Sequence, residues 1–464
     1  MFKMLINNHG FKFLYLSFIF LFFISSRIEA SPQVGIVDTN VYPRQADPPT
    51  FDVSHKAIDP VFNTTIARIT GPVGSNAVYE NNLETQNLAP IQHFHNPWSY
   101  TGDHFLVWAD RLSQGAGARV ELYSLDRVNF SVMKVRSLEQ PISAFNYNRG
   151  VHFDHDNEWI IYAVDTSVIP NVLKRCNLNY HSTEEGLAPD SCENLLSDVD
   201  GINQMTQSDD DEFFAYSSEN NLVHRVWRRS SRETLITVDC SSWYSCDESQ
   251  MSPDGKWLFL KGHQVEGDHN AWVYDIQNGG VLRAYDSYGP DYFSGKHSGF
   301  NDKWVNETTQ FSNYRLVVRN IQNDEPGKNP WTETPKFIFS SPISPVGAIG
   351  AIHPSYSNSN YVYGGFFRPA GEPDPWVPYY DEIVRIKDDG TETLRLAHSW
   401  SRFYSNSYDE IPSYASPVGD YVIFYSNWNG GDINARHDVF IVSTLDFSDP
   451  DDEAPSVPIG LNVI

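Results

Sequence analysis

The chain is 464 residues long, with 33 basic against 59 acidic residues, a net charge of −26 and 14% aromatic side chains. A field of that sign repels nucleic acid and anionic lipid, so neither is expected as a partner. The aromatic content suits a large β core first and sugar-stacking surfaces second.

In chain order, the first segment lies outside the fold. Lys3 and Lys12 give a basic start, Phe13 to Ile24 is an almost unbroken apolar run, and Ile28-Glu29-Ala30 offers a small residue for cleavage. This predicts a secretory signal over 1–30, too short and wrongly flanked for a membrane span, and a secreted, extracellular or periplasmic protein starting near Ser31. An N-terminal extension is expected over 31–60, the folded body over 61–450 and a C-terminal tail over 451–464. The sequons at Asn63, Asn129 and Asn306 matter only in a glycosylating host.

The body repeats itself. Its clearest unit is Met251-Ser252-Pro253-Asp254-Gly255-Lys256-Trp257-Leu258-Phe259-Leu260, two strands joined by a tight Pro-Asp-Gly turn. Related turns fall at Tyr100–Asp103, Asp154–Glu158, Asp209–Glu212, Asn301–Lys303, Ser357–Asn360 and Ser416–Asp420. Most units continue into a third strand ending in an acidic turn, as at Val120–Asp126 and Ala271–Asp275, and no segment has a helical period. The spacing predicts an all-β fold, a single β-propeller of seven blades, each of four antiparallel strands; the fifth unit matches least well, which leaves six or eight blades as the alternatives. Thr64 to Thr70 reads as a strand that pairs with the last blade and closes the ring.

The four cysteines, Cys176, Cys192, Cys240 and Cys246, allow three pairings. Local closure, Cys176 with Cys192 and Cys240 with Cys246, costs the least loop entropy. A zinc site is the rival reading, although the spacing is not that of a zinc knuckle.

The Ser-Pro-Asp-Gly hairpin after a short inner strand resembles the repeat of TolB-type propellers, shared with propeller polysaccharide lyases, the oligogalacturonate lyases and the secreted ulvan lyases. The resemblance implies a fold. For function it implies, by residue type, His, Tyr and Arg at the channel mouth.

Propeller geometry brings the openings of the inner strands and the ends of the second strands to one mouth of the channel. The first set reads His93, His95, His152, Gln204, Gln250, His297, His353 and Glu410; the second reads Arg111, Asp165, Ser217, Lys261 with His263, Arg368 and Asn427. These residue types suit β-elimination on a uronate-containing acidic polysaccharide, ulvan-like or pectin-like, by a monomeric lyase. His297, His353, Arg368 and His263 are the candidate catalytic residues; His152, Lys261, Tyr356 and Arg111 are the candidate substrate contacts. His297, His353 and Glu410 open consecutive inner strands and so form a candidate site for a divalent metal (calcium, manganese or zinc). The oligogalacturonate lyases draw their metal site from closely spaced His and Gln of one segment, which this chain does not match. Calcium is a separate candidate at Asp198-Val199-Asp200-Gly201 or Asn427–Asp432, against the plainer reading of acidic turns. The basic run His224–Arg229 reads as a solvated outer strand. Nucleophile-elbow, phosphate-loop and zinc-protease motifs are missing, and the 59 acids single out no glycosidase pair. The alternative function is a non-catalytic propeller that binds glycan or protein on the same face.

Overall fold

The repeat is set by a turn whose side chains bond their own backbone. In the computed structural model Ser252 Oγ donates to Asp254 Oδ1 (2.6 Å) and accepts from Trp257 N (2.8 Å), while Lys256 N donates to the same Asp254 oxygen (3.0 Å). Gly255 completes the turn at φ +65°, where an added Cβ would meet Phe213 at 2.5 Å. The device recurs at Ser208–Asp210, with Asp211 in the glycine place, and at Ser218–Asn220, with Asn221 there. Gly102 and Gly419 hold the same place in two further turns, donating to Ser99 O and Ser416 O.

The structure describes residues 35–38, 40, 56–70, 86–90, 97–111, 119–138, 150–178, 191–263, 270–285, 298–300, 304–310, 313–319, 336–340, 355–356, 360–366, 378–401, 413–428 and 438–445. All belong to one compact unit, Val34–Ile464. Among them there is no helix, so none is long and apolar enough to cross a membrane.

Strands β1 (Lys56–Ile58) and β2 (Thr65–Arg68) come first. The first four-stranded sheet is β3 (Gln86–Pro90), β4 (His104–Arg111), β5 (Arg119–Asp126) and β6 (Ser131–Leu138). The second is β7 (Val151–Phe153), β8 (Ile160–Asp165), β9 (Val172–Asn177) and β10 (Ser191–Ser197). The third is β11 (Asn203–Gln207), β12 (Phe213–Ser217), β13 (Val223–Arg228) and β14 (Glu233–Asp239). The fourth is β15 (Ser245–Met251), β16 (Trp257–His263), β17 (Asn270–Asp275) and β18 (Val281–Tyr285). The fifth is β19 (Ser298–Phe300), β20 (Trp304–Gln310), β21 (Asn313–Arg319) and β22 (Lys336–Ser340). The sixth is β23 (Ser355–Tyr356), β24 (Tyr361–Phe366), β25 (Glu382–Lys387) and β26 (Thr393–His398). The last joins β27 (Ser413–Ala415), β28 (Tyr421–Ser426) and β29 (Asp438–Ser443) to the N-terminal strands, in the order β1-β2-β29-β28-β27.

Every pairing between these strands is antiparallel, and all join neighbours in the chain except that of β2 with β29. Each of the seven expected turn sequences falls between the first and second strands of a sheet; residues 301–303 and 357–359 lie outside the described residues. The acidic turns also stand: Asp126 Oδ1 accepts from Val128 N and Asn129 N, and Asp275 Oδ1 accepts from Asn278 N. Strands β8 and β28 are buried throughout, because both faces of their sheets are covered. One core cluster joins Leu106 and Leu122 of the first sheet to Val151 and Ile161 of the second; another joins Ile383 and Leu396 of the sixth to Phe424 and Phe440 of the last. The sheets therefore stack face to face.

The strand expected to close the ring is β2. Its Ile66 faces Val442 and its Arg68 faces Phe440, and Arg68 bonds Asp438 at 2.7 Å. Further upstream, Ile36 and Arg395 exchange backbone bonds (3.1 and 2.9 Å), adding a bridge at the outer strand of the sixth sheet. Arg395 is fully buried: its guanidinium grips Glu382 in a fork, with Nε to Oε2 at 2.6 Å, and also reaches Asp38 and the Asn40 carbonyl. Both disulfides are the local ones, Cys176–Cys192 across β9 and β10 and Cys240–Cys246 at the start of β15.

Three expectations need correction. The strand that pairs with Val107–Arg111 is Gln86–Pro90, so His93 and His95, outside the described residues, do not open it. Strand β15 opens at Ser245, five residues before Gln250, because Ser245 pairs with His263. The run His224–Arg228 is the third strand of its sheet, between β12 and β14, and Trp227 is buried.

Candidate functional site at the channel mouth

The first strands of successive sheets lie against one another, β7 on β11, β11 on β15, β19 on β23 and β23 on β27. Because each first strand pairs antiparallel with its second, the openings of one set and the ends of the other meet at a single mouth. Arg111, Asp165, Ser217 and His263 end β4, β8, β12 and β16, and Asn427 lies one residue past β28. Lys261 is two residues inside the end of β16, and Tyr356 is the last residue of β23. His297, His353, Arg368 and Glu410 lie outside the described residues.

The second to fourth blades show what these positions do. His152 is buried, and its Nε2 lies 2.9 Å from Met205 O on the next inner strand. A carbonyl only accepts, so Nε2 carries the hydrogen. Burial lowers the His152 pKa to about 4 despite that bond, which keeps the ring neutral at physiological pH. This nitrogen is thus committed to holding two blades together. Burial pushes the Asp165 carboxyl up, but Lys174 at 2.7 Å and two donors from Ser167 outweigh it and hold it below the usual carboxylate range. Lys261 Nζ sits 3.4 Å from Glu248 Oε1, so its charge is met within the blade.

Two irregularities lie side by side here. The register of β11 slips between Asn203 and Thr206, where Gln204 takes φ +47°, and that of β15 slips between Cys246 and Ser249. Met251 N donates to Thr206 Oγ1 (2.9 Å), which brings the two bulged strands level. Bulges re-aim side chains and are frequent beside functional sites. Here they bury Gln204 Oε1 and Ser249 Oγ, neither with a hydrogen-bond partner among the described residues. Sequence reading reached Gln204 but missed Ser249 and Glu248, because Cys246-Asp247-Glu248-Ser249 lacks the alternation that marks a strand.

The metal candidates fare differently. His224, Cys240 and Cys246 bring a ring nitrogen and two sulfurs within 4.8 Å of one another, yet the sulfurs are joined to each other and offer no thiolates. At the acidic turn, Asp198 and Asp200 both face Arg225, at 3.3 and 2.5 Å, and Asp198 accepts from Tyr216 OH (2.8 Å). Both carboxylates of that turn are engaged within the protein, by one guanidinium and a tyrosine hydroxyl, which suits a structural turn better than calcium; most of the other calcium candidate, Asn427–Asp432, lies outside the described residues. The donors described so far fit no metal ion.

Face-to-face antiparallel sheets with their first strands innermost define a β-propeller. No protein-family model matches the chain, and no curated protein matches it in sequence. Among solved structures, oligogalacturonate lyase from Vibrio parahaemolyticus superposes with a TM-score of 0.56 at 10% identity, covering 86% of this chain and 98% of that one. The WD40 domain of Toxoplasma gondii coronin gives 0.47 at 10% identity (90% and 89%), and TolB from Acinetobacter baumannii gives 0.36 at 14% (68% and 65%). At such identities the likeness is one of fold alone.

Proposed function

We propose that this is a secreted polysaccharide lyase that cleaves a uronate-containing acidic glycan by β-elimination at the channel mouth. The reading is carried by the coincidence of strand ends with chemistry: Arg111, Lys261 and His263 fall where β4 and β16 close beside the inner-strand openings. In the reaction a neutral imidazole, His297 or His353, removes the proton α to the uronate carboxylate. The Arg368 fork stabilises the resulting enolate. The bond to the leaving oxygen then breaks, leaving a carbon–carbon double bond, and His263 returns a proton to that oxygen. His152 and Lys261 shape the mouth through Met205 O and Glu248, and no step is routed through a metal.

The test is direct. Incubation with a panel of acidic polysaccharides should produce unsaturated uronyl ends, seen as rising ultraviolet absorbance, and Arg368→Lys should lower that rate more than tenfold. A non-catalytic glycan- or protein-binding propeller is the second reading, favoured by the internal partners that His152 and Lys261 already have. Glycan binding with no absorbance change on any polymer would replace the first reading with the second.

A further inference from the structure

Asp211 stands in the turn between β11 and β12, at the place glycine takes in the corresponding turns at Gly102, Gly255 and Gly419. It holds the same left-handed backbone, φ +53°. An L-residue is strained there, and only asparagine and aspartate accept it readily. Its side chain is buried and reaches across the seam to the second blade. Oδ2 accepts from His155 N (2.8 Å) and Oδ1 accepts from Gln207 Nε2 (2.9 Å), and the same Nε2 donates to Phe153 O (2.7 Å). Gln207 Oε1 is also buried and has no hydrogen-bond partner among the described residues. An ionised carboxylate can only accept, so it leaves that oxygen unanswered. A protonated one carries an O–H, and the amide already bonded to it holds the missing acceptor.

We propose that Asp211 is a proton-operated latch on the seam between the second and third blades. Protonated, it completes a two-bond acid–amide pair with Gln207. Ionised, it releases that proton to solvent, breaks the pair and sets a negative charge beside Asp154.

The groups around it support the direction. From the second blade's turn come Asp154, His155 and Asp156; Asp154 accepts from Tyr162 OH (2.9 Å) and faces Arg175 at 3.6 Å. From the end of β13, Arg229 donates to Tyr162 OH and is the nearby opposing charge. The latch's own turn adds the exposed Asp209 and Asp210. Burial, with Asp154 adding to it, pushes Asp211 up to about 7 against the pull of His155 N–H and Arg229. A carboxyl raised in the fold contributes stability below its unfolded value of 3.8 and loses it as pH rises through about 7. His152, on the same seam, works in the opposite sense. Its folded value near 4 lies below the unfolded 6.5, so its contribution is lost as pH falls through that window. The two slopes overlap, and only a difference between variants isolates Asp211.

That difference is the melting temperature of the full chain minus that of Asp211→Asn, which keeps the size and the left-handed backbone but cannot titrate. The gap should shrink by about 2–3 °C from about pH 5 to about pH 8. A gap constant across that range overturns the latch. In Asp154→Asn, without the neighbouring charge, the loss of stability should be complete at a lower pH; an unmoved profile also counts against the proposal. If Asp211→Asn does not fold, carbon-13 NMR of the parent decides. An aspartate carboxyl titrating near neutrality supports the latch, and none above the ordinary carboxylate range refutes it.

Discussion

Replacing Arg395 with Met tests the strongest buried charge pair in the described residues. Arg395 and Glu382 are both fully buried, two guanidinium nitrogens meet the two carboxylate oxygens, and Phe62 and Tyr379 cover the guanidinium at 5.4 and 5.1 Å. Burial pushes the Glu382 carboxyl up, and Arg395 is the main force keeping it charged. Without the arginine, a buried carboxylate is left uncompensated, which costs about 3–5 kcal/mol. At ~2.1 cal/mol/K per residue, the unfolding entropy of a chain this size is roughly 0.9 kcal/mol/K, so the melting temperature should fall by about 3–5 °C. Arg395→Met with Glu382→Leu removes both charges at once and should recover at least half of that loss. Differential scanning fluorimetry on the parent, both single variants and the double variant gives the coupling energy directly. A double variant no more stable than Arg395→Met would refute the reasoning. The stability would then rest on the backbone bridge to Ile36 and the contacts to Asp38, not on the ion pair.

Other outcomes follow from the same structure. Cys176→Ser with Cys192→Ser opens a loop of 16 residues and should cost about 3 kcal/mol, read as a lower urea midpoint, while non-reducing peptide maps of the parent should show only the two local links. Gly255→Ala adds left-handed strain and a contact with Phe213, and should lower stability by about 1–3 kcal/mol; an unchanged melt would show that the turn relaxes. Deleting residues 56–70 should expose the edge of β29 and promote association, measurable by light scattering. Of His297→Ala and His353→Ala, the variant that removes the base should abolish turnover while melting as the parent does, and the parent's pH–rate profile should rise near a histidine pKa of roughly 6.5. Loss of stability with retained specific activity would make those histidines structural.

Much of the fold was legible because its signals are local. Ser252, Asp254 and Gly255 act within five residues of one another, so the turn, and with it the ends of β4, β8, β12 and β16, could be placed from sequence alone. The disulfides were readable for the same reason. The closing strand, Thr65–Arg68, was also legible, although its partner is distant. What escaped are single contacts between distant residues: the bridge of Ile36 to Arg395 and the ion pair of Arg68 with Asp438, which no periodicity marks. Within Asp209-Asp210-Asp211 nothing in the sequence separates the buried third residue from its two exposed neighbours; the seam with His155 and Gln207 does that. The polar opening of β15 was hidden because its bulge breaks the period-two pattern on which strand recognition relies.

The pairing of β2 with β29 also constrains the order of events during synthesis. Residues 65–68 leave the ribosome early, and their partner at 440–442 is made more than 370 residues later. Until then β2 lacks its native partner, and the ring cannot shut on any partial product. A chain released before Asp438 would contain most of its blades yet keep an open edge at the closing sheet. Such a fragment is the form most exposed to proteases and to pairing with another chain. Completion of the last sheet therefore reports that synthesis has passed β29.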